Sequence, residues 1–100
     1  MNILLIKHQV NSLKNLLLLP GTDFLWSNYD NAQQLIQKLD CLVYELEQSE
    51  RSAAEQLLFL LAPTGAIQEI SLQSGWGNEF LAIAEVLETE LKACLKLPGI

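Results

Sequence analysis

The chain has 100 residues, of which 50% are hydrophobic and 18% are charged, and its formal net charge is −6. This length and composition predict one helical domain over residues 1–100 with a modest core, and they argue against disorder or a second independent core. Because an acidic chain repels nucleic-acid backbones and anionic lipid, the charge argues against both as partners.

The N-terminal segment predicts an amphipathic helix. Its apolar residues recur at spacings of three and four: Ile3, Ile6, Val10, Leu13 and Leu17. Leu4, Leu18 and Leu19 fall outside this face, so we expect either a second covered side or a partner there. A short strand at residues 3–6 is the competing prediction. Polar residues break the apolar runs, which argues against a signal peptide or membrane span and makes the cytoplasm the expected location.

A loop rich in aromatic residues follows, with Phe24, Trp26 and Tyr29 close together. Asp30 is then the predicted N-cap of a second helix, and Gln33 completes a capping box. The predicted core stripe of this helix is Ala32, Leu35, Ile36, Leu39, Leu42, Val43 and Leu46.

A third helix is predicted before Pro63, which disfavours a helical conformation at the preceding residue. Residues 53–62 leave almost no polar face, and a helix that is apolar all round is normally surrounded by others. We therefore expect this helix at the centre of the core.

The last third of the chain predicts a short helix, a turn and a long helix. The short helix starts at Thr64 or Gly65, and its predicted inward residues are Ala66, Ile67, Ile70 and Leu72. Gly75 should end it in a left-handed conformation, and Asn78 is the predicted N-cap of the long helix. The long helix should bury Phe80, Ile83, Ala84, Leu87, Leu91, Cys94 and Leu95.

This segment has the outline of a helix-turn-helix. Ser71 is the small residue four positions before the glycine turn, and Leu81 and Ala84 are the predicted inward residues of the second helix. However, no lysine or arginine lies between Arg51 and Lys92, so the exposed surface cannot neutralise phosphates. The predicted fold is all-α, a compact bundle of four to five helices whose last two form a helix-turn-helix-like corner.

The sequence offers no catalytic or metal-binding pattern. His8 is the only histidine, and Cys41 and Cys94 have neither the spacing of a zinc site nor an electropositive neighbourhood. We predict Cys94 on the core stripe and Cys41, with Tyr44, on the outer side of the second helix. The expectation is a protein without catalytic residues, cofactor or metal.

Interaction with another protein is the remaining prediction. The candidate surface combines loop aromatics with the start of the last helix: Phe24, Trp26, Tyr29, Trp76, Asn78 and Glu79. Aromatic residues of this kind anchor interfaces, but the competing interpretation is that they seal the ends of a small core.

Two functions follow from these observations. The first is a non-catalytic regulator that binds a basic protein through its acidic surface, as inhibitors and antitoxin-like neutralisers do. The alternative is a helix-turn-helix regulator whose DNA contacts come from Lys7, Lys14 and Lys38 of a dimer. The surplus leucines of the first helix suggest a homodimer through that helix.

Overall fold

Five helices form the described chain: α1 (Ile3–Leu17), α2 (Ala32–Glu47), α3 (Arg51–Leu61), α4 (Ala66–Ser74) and α5 (Gly77–Leu95). A computed structural model describes residues 2–24, 31–48, 51–62 and 65–95, apart from the side chain of Cys94. No strand occurs in these ranges, so the all-α prediction is confirmed and the competing strand at residues 3–6 is wrong. The predicted burial of Cys94 lies outside the described residues.

The four long helices pack as an antiparallel bundle. α1 contacts α2 and α5, and α3 contacts the same two helices, whereas the described parts of α1 and α3 do not touch. An ion pair joins the first half of α1 to the end of α2 (Lys7–Glu47, 3.0 Å). A second ion pair joins the last turn of α1 to the middle of α2 (Lys14–Asp40, 2.7 Å). The α1–α2 side and the α3–α5 side are therefore opposite sides of the bundle, and the short α4 links α3 to α5.

Hydrogen bonds hold the helices together at one end of the bundle. The Asn2 backbone N–H donates to Oε1 of Glu90 at 2.8 Å, which places the start of α1 beside the last part of α5. The Arg51 guanidinium donates to the carbonyl of Leu95 at 2.9 Å, which joins the start of α3 to the end of α5. Both contacts require α5 to run antiparallel to its two long neighbours.

One apolar core receives side chains from all five helices. Its largest fully buried side chain is Phe80 of α5. The predicted inward stripes of α1, α2 and α5 are confirmed at most positions, with Ile3, Ala32, Ile36 and Leu95 only partly buried at the edge of the core. Ser71 of α4 is the one buried polar side chain in the described chain, and its hydroxyl donates to the carbonyl of Gln68 at 2.8 Å.

The central position predicted for α3 is wrong. Ala53, Ala54, Leu57, Leu60 and Leu61 face the core, but Phe59 is 77% exposed. The reason is that α3 occupies a corner of the bundle, where α2, α4 and α5 cover only one side of it.

Two predicted helix caps also need correction. The N-cap of α2 is Asn31, whose Oδ1 accepts a hydrogen bond from the Gln34 N–H at 3.1 Å, and Asp30 lies outside the described residues. Asn78 is not a cap because α5 already begins at Gly77. The Trp76 carbonyl accepts the first helical hydrogen bond, from the Phe80 N–H at 3.0 Å, so α5 begins two residues earlier than predicted.

Candidate interaction surface

The turn between α4 and α5 depends on a left-handed glycine, as predicted. Gly75 has a φ of 84°, a conformation that costs a residue with a Cβ about 1–2 kcal/mol. The N–H of Trp76 donates to the carbonyl of Ser71 at 3.1 Å, which closes the end of α4. This turn sets the position of α4 against the first turns of α5.

Trp76 does not belong to the exposed surface, and here the sequence prediction is corrected. Its side chain is only 4% exposed, and its indole Nε1–H donates to Oγ1 of Thr22 at 3.3 Å. The Thr22 hydroxyl donates to the carbonyl of Leu16 at 2.9 Å, and the Asp23 N–H donates to Oγ of Ser74 at 2.7 Å. The indole thus seals the end of the core and connects the loop after α1 to the α4–α5 turn.

The remaining predicted surface residues are not all brought together. Phe24 is partly buried and packs against the core, while Trp26 and Tyr29 lie outside the described residues. Asn78 and Glu79 are both exposed in the first turn of α5. Because successive residues of a helix differ by about 100°, they point in clearly different directions.

Two leucines predicted to face inward are exposed instead, Leu72 on α4 and Leu81 on α5, and we call them the exposed leucine pair. Leu72 is 60% exposed and Leu81 is 54% exposed. A methyl group of Leu72 lies 3.3 Å from where a Cβ on Gly77 would stand, and Leu81 follows Gly77 by one helical turn. The missing side chain at Gly77 therefore allows α4 to approach this face of α5 closely.

The exposed leucine pair has acidic neighbours along both helices. Glu69 precedes Leu72 by three positions on α4, and Glu85 follows Leu81 by four on α5, so each shares a helix face with its leucine. Asn78 precedes Leu81 by three and lies on that same face of α5. We call these five residues (Glu69, Leu72, Asn78, Leu81 and Glu85) the α4–α5 surface.

The α4–α5 surface carries unneutralised negative charge. The ion pairs of the described chain are Lys7–Glu47, Lys14–Asp40 and Lys92–Glu88. Within the described residues, no ion pair reaches Glu69 or Glu85. The sequence has no lysine or arginine between Arg51 and Lys92, so α4 and the first part of α5 carry no basic side chain.

No chemistry-bearing cluster competes with this surface in the described chain. The described residues hold no group of three histidine, cysteine or acidic side chains that could bind a metal ion. His8 and Cys41 are exposed and lie on different helices. None of the described helices is both long and apolar enough to serve as a membrane span.

Comparison of this chain with protein-family models, with curated proteins and with solved structures gave no significant match.

Leu72 and Leu81 are the surface residues that the sequence prediction missed. A helical wheel gives the signal for Leu81, because this residue stands about 100° from Phe80 and so at the edge of the inward face of α5. For Leu72 the wheel is less informative, since α4 has only 9 residues. What decides its exposure is the neighbouring Ser71, which takes the inward position instead.

Proposed function

We propose that this protein is a non-catalytic interaction protein that binds a basic protein partner through the α4–α5 surface. The observation that carries the proposal is that the exposed leucine pair shares its helix faces with glutamates that form no ion pair with a basic side chain of the described chain. Contiguous exposed apolar surface with a polar rim is typical of protein-binding sites.

The two kinds of residue have different roles in this proposal. Glu69 and Glu85 attract a basic partner and orient it, because complementary charge raises the association rate more than the final affinity. Leu72 and Leu81 supply the contact that holds the complex, since removing apolar surface from water is the dominant favourable term in most protein–protein association.

Such a protein acts by occupying the basic surface of its partner, as inhibitors and antitoxin-like neutralisers do. The cytoplasm is the proposed location, and a homodimer involving α1 is the proposed assembly. Neither catalysis nor a cofactor has a role in this proposal.

A DNA-binding regulator is the alternative, and the left-handed turn between α4 and α5 is the feature that favours it. The lysines required for its DNA contacts are already engaged in the structure. Lys7 and Lys14 form ion pairs, and Nζ of Lys38 donates to Oε1 of Gln56 at 3.1 Å. We therefore favour a protein partner over DNA.

Affinity purification from native lysate tests the proposal with a charge-reversed variant, Glu85→Lys. We expect the wild-type chain to retain a basic protein at low salt and to lose most of it at about 0.5 M salt, where electrostatic screening is strong. Glu85→Lys should weaken this retention, and Leu81→Ser should weaken it further.

The matched control is Glu45→Lys, which changes the net charge equally on α2, away from the α4–α5 surface. Retention of the same partner by Glu85→Lys and Glu45→Lys alike would contradict the proposal. Duplex DNA is assayed in the same low-salt buffer, where a DNA-binding regulator binds most tightly. A shift in the electrophoretic mobility of the DNA would support the alternative function.

A further inference from the structure

The α1–α2 side, opposite the α3–α5 side, carries two charged rows of opposite sign. Lys7 and Lys14 form the basic row on α1, and Glu47 and Asp40 form the acidic row on α2. Lys7 pairs with Glu47, and Lys14 pairs with Asp40, so the rows are in register. The offset of seven positions between Lys7 and Lys14 separates the pairs by about 10 Å along the bundle.

A groove of about 400 Å³ runs between these two rows. The side chains between the ion pairs are Val10 and Asn11 of α1 and Val43 and Tyr44 of α2. Val10 and Val43 are buried and form its floor, whereas Tyr44 is 64% exposed. The groove thus has an apolar floor, charged ends and a prominent aromatic residue on one rim.

This pattern is complementary to itself. A twofold axis parallel to the bundle exchanges the two rows, so the basic row of one copy faces the acidic row of the other. Lys7 then meets the partner's Glu47, and Lys14 meets the partner's Asp40. A twofold axis perpendicular to the bundle would instead set lysines against lysines and acids against acids.

The apolar residues fit the same symmetry. Tyr44 stands between Asp40 and Glu47 on α2, and Asn11 stands between Lys7 and Lys14 on α1. The parallel axis therefore brings Tyr44 opposite the partner's Asn11, at the mouth of the groove. Exposed leucines lie seven residues before and after Asn11, at Leu4 and Leu18, and this spacing keeps them on the same side of α1.

The charge of the whole molecule indicates which occupant this side accepts. The formal charges of the four side chains in the two rows sum to zero, whereas the whole chain has a formal net charge of −6. Two copies repel each other least where each presents a neutral side with alternating rows. A different partner would need a basic row and an acidic row at the same spacing, and a second copy of this chain already carries both.

We propose that the α1–α2 side is the interface of a symmetric dimer, in which two copies of this chain pair about an axis parallel to the bundle. Tyr44 is the central contact, and the two charged rows set the orientation. The α4–α5 surfaces stay free because they lie away from this interface. A dimer then offers two such surfaces to partners, and simultaneous binding of both would raise the apparent affinity.

Sedimentation velocity of the full chain between about 1 µM and 1 mM tests the pairing, since weak interfaces dissociate within this range. We expect a concentration-dependent shift from monomer to dimer. Tyr44→Ala should raise the dissociation constant about tenfold or more. Phe59→Ala is the matched control, because it removes an exposed aromatic residue of α3 and should leave dimerisation unchanged.

Charge reversal tests the orientation. Lys14→Glu alone and Asp40→Lys alone should each weaken the homodimer, because each variant sets two pairs of like charges face to face. An equimolar mixture of the two variants should form heterodimers, because both facing pairs are then opposite in charge. Circular dichroism of each variant separates a loss of pairing from a loss of fold.

Three results would overturn the proposal: a monomer at every concentration, an unchanged dissociation constant for folded Tyr44→Ala, or no heterodimer in the mixture. A stronger homodimer of Lys14→Glu would show that the rows meet about a perpendicular axis, and this outcome rejects the proposed parallel axis.

Discussion

Three glycines of the described chain differ in what a side chain would meet. Gly75 has a positive φ and open space around a hypothetical Cβ, so only its backbone conformation opposes substitution. Gly21 has the same open space without a positive φ. A Cβ on Gly65 would lie 2.7 Å from the carbonyl oxygen of Leu60 and 2.9 Å from that of Phe59, which are backbone atoms that cannot rotate away.

We therefore predict a graded response to alanine at these glycines. Gly75→Ala should lower the free energy of unfolding by about 1–2 kcal/mol. Gly65→Ala should lower it further, because the link between α3 and α4 must shift to relieve the clash. Gly21→Ala should stay within about 0.5 kcal/mol of the wild type. Urea unfolding followed by circular dichroism measures all three, and equal losses at Gly75 and Gly21 would contradict the left-handed turn.

At the scale of the helices, the caps determine where each element starts. Asn31 caps α2 through its side chain, whereas Asn78 lies inside the first turn of α5 and is exposed. An N-cap side chain satisfies a backbone N–H that has no partner within the helix, so its removal is costly. An exposed asparagine within a helix is instead a poorer helix former than alanine.

We predict opposite effects of the same substitution at these two positions. Asn31→Ala should lower the free energy of unfolding by about 1 kcal/mol. Asn78→Ala should leave it unchanged or raise it by up to about 0.5 kcal/mol. Thermal and urea unfolding of the two variants provide the comparison. If Asn78→Ala is the more damaging change, Asn78 is the cap and α5 begins later than described.

At the scale of the whole molecule, the square arrangement of four long helices decides which residues of the same type are buried and which are exposed. Phe80 is fully buried between helices, and Phe59 stands 77% exposed at a corner of the bundle. The same arrangement puts the α1–α2 side and the α3–α5 side on opposite sides of the bundle, so the two proposed interfaces do not overlap.

We predict that Phe80→Ala lowers the free energy of unfolding by about 3–5 kcal/mol, since it leaves a cavity in the core. Phe59→Ala should change it by less than about 0.5 kcal/mol because the ring contacts little besides solvent. Chemical unfolding of both variants is the measurement. A comparable loss for Phe59→Ala would mean that α3 is enclosed, as its sequence alone suggests.

The sequence by itself determined the features that depend on neighbours along the chain. The inward faces of α1, α2 and α5 follow from apolar spacings, and the left-handed turn follows from a glycine between two helical patterns. The lack of basic residues between Arg51 and Lys92 can likewise be read without a structure. These features were predictable because helix periodicity and turn chemistry act over only a few residues.

Only the tertiary structure decided which helices are neighbours, and through this it decided the surfaces. The packing of α1 against α2 pairs Lys14 with Asp40, which lies 26 positions away along the chain. The tertiary structure also buries Trp76 against the loop after α1 and leaves Leu72 and Leu81 exposed. The physical reason is that exposure depends on which neighbours cover a residue, and an apolar residue at the edge of a helix face can be buried or exposed according to how the helices pack.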